Sequence, residues 1–267
     1  MPELTIDVID QRIDLLVNRI NMQQAEALSK QLAAAFVAGS NSITSTIYSA
    51  DKKKLSEQQE RAIKQLSAEH FGYISEFNRQ MGEQLKDEAR EILRNNGGYK
   101  DIANYTKRIF EGQENVVIDN VGKTRKIITV GKDGTLREVE KIITKQYVTT
   151  VGNYADMLGR TATHSAWAEG RAIGHQKFGF KKWRFVGPTD ERSRPDHCAV
   201  IGNVYEYGTP ESDMASSLLH EPHCRHRQIV FFGNPELDTP LSFFEEQKKR
   251  AGLKYDDEKG RWTFEDI

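Results

Sequence analysis

Cysteine is almost absent: Cys198 and Cys224 are the only two in 267 residues. That excludes a disulfide-dense scaffold and leaves one bridge as the most the chain can make. Long apolar runs are missing as well. No stretch approaches the roughly 20 apolar residues that cross a bilayer, so no membrane is indicated. The start, MPELTIDVIDQR, has neither a basic leader nor an apolar h-region. The expected compartment on synthesis is therefore the cytosol, where two cysteines set among histidines read as free thiols or metal ligands. Charge of one sign is lacking too. A net charge of -1 supplies no global attraction to nucleic acid or an anionic membrane, and only local basic faces remain. The chain also has no P-loop, no dinucleotide fingerprint, no G-x-S-x-G and no H-E-x-x-H.

What is present is polar and helix-forming. Apolar residues reach 37% and charged residues 29%, with a mean hydropathy of -0.65, as expected where much helix surface faces water. From Leu4 to about Ala38, Ile9, Ile13, Leu16, Ile20, Leu28, Leu32 and Phe36 recur at helical spacing. GSNSITSTIYSADKKK then breaks the pattern and reads as a hinge near 39–53. A second helix from about Lys54 carries Ile63, Leu66, His70, Ile74, Phe77, Met81, Leu85, Ala89 and Ile92 until Asn95-Asn96-Gly97-Gly98 stops it. His70, on that stripe, is expected to be partly buried and hydrogen-bonded in a helix interface.

A short helix, YKDIANYTKRIF, follows. Val116 to Ile143 then turns β-branched, with GKDG as a hairpin turn. Helix is expected again from about Lys145 to Lys177. Three strand candidates come next: FKKWRFV, the stretch holding Tyr205 and Tyr207, and QIVFF. A polar helix, PLSFFEEQKKRAG, precedes an end, KYDDEKGRWTFEDI, expected to be loosely held. The fold class is α+β. Residues 1–112 form a helical region, 113–144 an inserted β-hairpin element, 145–235 a small α+β domain, and 236–267 a C-terminal helix and tail.

Special chemistry concentrates between Trp183 and Arg227. Both cysteines and four of the seven histidines, His197, His220, His223 and His226, fall there. Neutral imidazole and thiolate are the ligands zinc favours, and the spacing allows one pair from the His197-Cys198 knuckle and another from His220, His223, Cys224 or His226. The alternative is that the cysteines are small buried apolar residues and the histidines hydrogen-bonding loop residues. Asp190, Arg192, Arg194 and Asp196 precede the knuckle. They read as a turn in which Asp190 accepts backbone N–H bonds and Arg192 forms a bidentate pair with a carboxylate. Trp183 reads as core.

The order W-x(6)-D-E-R-S-R-P-x-H-x(4)-G-x-V-Y, followed by P-H-C-R-H-R and an apolar strand, resembles the phage Mu F-like, or minor head protein, domain of tailed bacteriophages. The matching residues are Trp183, Asp190, Arg192, Ser193, His197, Gly202, Val204, Tyr205, Pro222, Cys224 and Arg225. The helix Asn153–Gly174, with its small-residue end, is similar to the one that precedes the motif in the family. The resemblance covers about Thr149 to Phe232. Arg194 stands where many members have a cysteine of a C-x-x-C pair, and His226 replaces the last cysteine of C-R-C. Arginine cannot ligate zinc and histidine can, so the zinc site implied here uses His197, Cys224, His226 and one neighbour.

The resemblance implies a non-enzymatic virion component made in few copies. Its partners would be the portal protein, other capsid and procapsid proteins, and packaged DNA. It would act in head morphogenesis or early DNA delivery, first in the host cytoplasm and then in the head interior or at the portal vertex. Two other readings arise from the residues themselves. One is a metal-dependent nuclease or hydrolase, with His197 as base or ligand and Asp190 as a second ligand. The other is a zinc-stabilised nucleic-acid-binding module with Lys181, Lys182, Arg225 and Arg227 on phosphates.

Overall fold

A computed structural model describes residues 5–41 and 56–265, and the fold is α+β, with two long helices leading the chain. In chain order the elements are α1 (Ile6–Asn41), α2 (Glu57–Arg94), α3 (Tyr99–Phe110), β1 (Val116–Ile118), β2 (Thr124–Val130), β3 (Leu136–Ile142), β4 (Tyr147–Thr149) and α4 (Val151–Lys177). The chain continues through β5 (Lys182–Val186), α5 (Pro195–Ala199), β6 (Val204–Glu206), α6 (Pro210–Leu219), β7 (Arg227–Val230), α7 (Leu241–Arg250), β8 (Leu253–Asp256) and β9 (Arg261–Phe264). Gly39–Asn41 of the expected hinge close α1, and the rest of that hinge lies outside the described residues. None of the described helices is long and apolar enough to cross a membrane.

The chain forms two compact units. The first takes residues 1–32, 63–123 and 142–160. Its core joins Ile9 and Ile13 of α1 to Phe77, Met81, Leu85 and Ala89 of α2, with Ile109, Val116 and Ile118. These are the stripe residues of the sequence, buried because an i, i+3, i+4 pattern puts them on one face. Arg90 and Lys86 of α2 reach Asp10 and Asp14 of α1, each at 2.6 Å. Asn78, 2% exposed, donates its amide to Asn21 at 2.7 Å and Gln24 at 2.6 Å. A polar layer of this kind satisfies its own donors and fixes helix register. Asn96, at φ 61, lets Gly97 N–H reach the Ile92 carbonyl at 2.8 Å and end α2. His70 is more deeply buried than expected, and its two ring nitrogens have no hydrogen-bond partner among the described residues.

Strand β1 pairs antiparallel with β4, Val116 opposite Thr149. The expected helix start at Lys145 is thus corrected. Tyr147–Thr149 is extended, and Asn153 N–H bonds the Thr150 hydroxyl at 3.2 Å where the helix begins. The other edge of β1 is covered by α2: Gln84 and Gln80 accept from Val117 and Asp119 N–H at 3.0 and 2.7 Å.

The second unit takes residues 33–62, 124–141 and 161–267. Its sheet has the order β6-β5-β7, antiparallel throughout, with Trp183 opposite both Tyr205 and Val230. Trp183 and Phe185 are fully buried with Val200, Ile201, Leu218 and Leu219, and Trp183 donates its indole N–H to Ser212 at 2.9 Å. The GKDG turn closes the β2–β3 hairpin, Gly131 N–H to Thr135 carbonyl 2.8 Å, and Val130 enters this core.

The C-terminal segment corrects the expectation of a loose tail. It forms the β8–β9 hairpin, packs Leu253, Trp262 and Phe264 on the core, and donates the Trp262 N–H to the Gly131 carbonyl at 3.2 Å.

Within this unit α1 and α4 meet at glycines. A methyl on Gly170 would lie 2.2 Å from the Phe36 carbonyl oxygen, and one on Gly39 would lie 2.1 Å from that of Trp167. Small residues on this side of α4 permit the close approach. Gly170→Ala should therefore cost about 1–3 kcal/mol by overpacking, reversing the usual helix gain. Gly72→Ala on α2, where open space surrounds the site, should add about 0.5–1 kcal/mol. Urea midpoints of the two variants check the opposite signs.

Candidate metal centre

Two arms of the second unit build the centre, one following β5 and one preceding β7. The register Val186 opposite Arg227 places Gly187-Pro188 beside His226. A Cβ on Gly187 would fall 2.4 Å from the His226 ring, so only glycine admits the imidazole at that position. After Pro188 the chain turns. Asp190 accepts from Arg192 N–H at 3.0 Å, and its carbonyl accepts from Ser193 N–H at 2.9 Å. Pro195 then opens the short helix α5, which carries His197. On the other arm, Cys224 N–H bonds the Glu221 carbonyl at 3.1 Å, and His223 takes φ 60. That tight turn brings Cys224 and His226 against His197.

Two arginines clamp the arms. Arg225 forms a bidentate pair with Asp190, Nη1 to Oδ2 at 3.0 Å and Nη2 to Oδ1, and also reaches the Ser193 hydroxyl at 2.9 Å. The bidentate arginine is thus Arg225, not the expected Arg192, which sits on the exposed part of the turn. Arg194 spans the same gap, donating to the Pro222 carbonyl at 2.7 Å and pairing with Glu221 at 3.2 Å. The Arg225 guanidinium holds the Asp190 carboxyl down at about 2. Burial raises the Glu221 carboxyl, but the His197 hydrogen bond and Arg194 outweigh it and leave it below its ordinary value.

Between the arms three ligand atoms converge. Those of His197, Cys224 and His226 lie within 4.8 Å of one another. Cys224 Sγ is 3.6 Å from His197 Nδ1 and 3.7 Å from His226 Nδ1. A tetrahedral zinc ion, with bonds of ~2.3 Å to sulfur and ~2.0–2.1 Å to nitrogen, has a sulfur–nitrogen edge of about 3.6 Å. The outer ring nitrogens are occupied: His197 Nε2 meets Glu221 Oε2 at 3.2 Å, and His226 Nε2 meets the Pro188 carbonyl at 3.1 Å. A carbonyl can only accept, so His226 carries its proton on Nε2 and turns a bare Nδ1 inward. The Glu221 carboxylate orders His197 the same way. A ligating imidazole is characteristically held by such an outer partner. The Cys224 thiol has one hydrogen and can satisfy only one of the two inward lone pairs.

Burial keeps both remaining players neutral, pushing His226 down to about 3 and the Cys224 thiol up to about 11. Coordination exchanges the thiol proton for the ion. The donor set therefore fits zinc, which would be held by His197 Nδ1, Cys224 Sγ and His226 Nδ1. A cavity of about 120 Å³ opens beside the donors, with Arg192, Arg194, Arg225 and His223 on its walls.

The other expected ligands do not join. Cys198 is buried in the hydrophobic core, its Sγ 3.9 Å from the Pro188 carbonyl, and both cysteines are free thiols. His220 and His223 fall outside the convergent group, and Asp190 is spent on Arg225. Gly202, at φ 88 and backed by Phe244, turns the chain from α5 into β6. Glu221 and the Pro188 carbonyl are the site groups that sequence reasoning missed. The one signal for Glu221 is its carboxylate three positions before Cys224. No family model, curated protein or solved structure matches the chain.

Asp190→Asn should lower stability at neutral pH by about 0.2–1 kcal/mol, the range of half-exposed pairs. Because the folded carboxyl is depressed to about 2, the contribution is present above the unfolded value near 3.9 and is lost as pH falls through the folded one. The gap between wild type and variant in urea midpoint should hold at pH 7 and close on acidification below about 4.

Proposed function

We propose that this chain is a minor head protein of a tailed bacteriophage, acting in procapsid assembly through contacts with the portal and capsid proteins and linked to DNA delivery. On this reading it works in the host cytoplasm during assembly and then in the virion. The observation that carries the reading is that the motif residues are spent on one another and on the core. Asp190 and Ser193 bind Arg225 across the module, Trp183 lies wholly inside it, and Gly202 makes a turn that only glycine holds at ease.

A hydrolase would need Asp190 at the ion, and a phosphate-binding face would need Arg225 free, yet the two neutralise each other. The hydrolase reading keeps one observation in its favour, the cavity beside the donors. The expected docking element is the helical region. Leu15 and Met22, seven residues apart on one face of α1, are 68% and 75% exposed.

Co-expression with the portal protein of the same phage tests the proposal. The tagged full chain should co-purify with the portal protein, and Leu15→Glu or Met22→Glu should each weaken that association by about tenfold without changing the circular dichroism. A chain that stays alone and cleaves DNA or peptide when loaded with zinc would replace this reading with the hydrolase.

A further inference from the structure

We infer that His197, Cys224 and His226 hold one zinc-class divalent ion with three protein ligands, and that its fourth position opens to the adjoining cavity and takes water or a small inorganic anion. Three observations lead there. The sulfur–nitrogen separations of 3.6 and 3.7 Å match two edges of a tetrahedron around zinc, with all three atoms within 4.8 Å of one another, whereas a single thiol hydrogen cannot serve both inward nitrogens. Both imidazoles are already oriented from outside, by Glu221 and by the Pro188 carbonyl, the arrangement a ligating histidine needs.

Among the described residues no fourth donor joins the convergent three, and His223, on the cavity wall, lies outside the group. Arg194 is one turn before His197, where its side chain spans to Glu221 and Pro222. Cys198 faces the core, and the cavity occupies the remaining side. An ion with three protein ligands and an open corner exchanges its fourth ligand, unlike a closed four-ligand structural site. Arg192 on the cavity wall, which no carboxylate pairs among the described residues, favours an anion over a neutral molecule in that position.

The full-length chain, reduced and stripped by chelator, is titrated with Zn2+ and separately with Co2+. One equivalent of Zn2+ should bind by native mass spectrometry. Co2+ should give the thiolate charge-transfer band and the intense visible bands of a tetrahedral site. Azide should then shift those visible bands.

Cys198→Ala should bind like wild type, and Cys224→Ser should lose the charge-transfer band. Should Cys224→Ser not fold, Glu221→Gln decides instead. It leaves all three donors in place and should weaken Zn2+ binding by roughly 10–100-fold. Failure of the wild type to retain any ion overturns the inference, as does undiminished binding by Cys224→Ser or Glu221→Gln. Visible bands indifferent to azide would overturn the open corner. None of these outcomes depends on portal binding, so the assembly reading stands or falls separately.

Discussion

Strand β5 is the member of its sheet paired on both sides, and the second unit depends on that position. Its ladder with β7 sets Val186 against Arg227, and from that register everything at the end of the sheet follows. Pro188 presents its carbonyl to His226, Gly187 makes room for the ring, and Asp190 comes within reach of Arg225. A slip of one residue would turn Trp183 and Phe185 out of the core. It would also separate the two arms that carry the donors. Burial of the strand and geometry of the site are thus one constraint.

The sequence made the long helices legible because each buries one face, and burial of one face writes a period of 3.6 into the chain. The same reasoning could not find β4. Its three residues, Tyr147–Thr149, are strand only because β1, some thirty positions earlier, pairs with them. The C-terminal hairpin was hidden for the same reason: Trp262 is held by the Gly131 carbonyl, far back in the chain, and its own residues look merely charged.

At the site, His197, Cys224 and His226 were legible by chemistry, since few residue types can hold zinc. Which arginine meets Asp190 was not. Arg192 is the nearer in sequence, but a turn that points its backbone N–H at the carboxylate carries the side chain away, and Arg225 arrives from the facing arm. Arg194 marks the reverse case. It was seen as a missing ligand and is in fact an outer support, through Glu221, for a ligand that is present.

The clamps alone hold the arms weakly. Asp190 and Arg225 are each about two-fifths exposed, as is Arg194, and such pairs contribute at most about 1 kcal/mol each. The hydrophobic core reaches the donors, since Cys224 packs against it and His197 and His226 are almost fully buried beside Phe185. Between those buried groups His223 and Arg225 are exposed, and there the facing arm is held by the clamps. An ion bound there acts on the folded state only, and its affinity becomes stability of the loop arms. A three-ligand site would do this while leaving one corner to exchange. The same residues join the arms of the module and line the cavity at its surface.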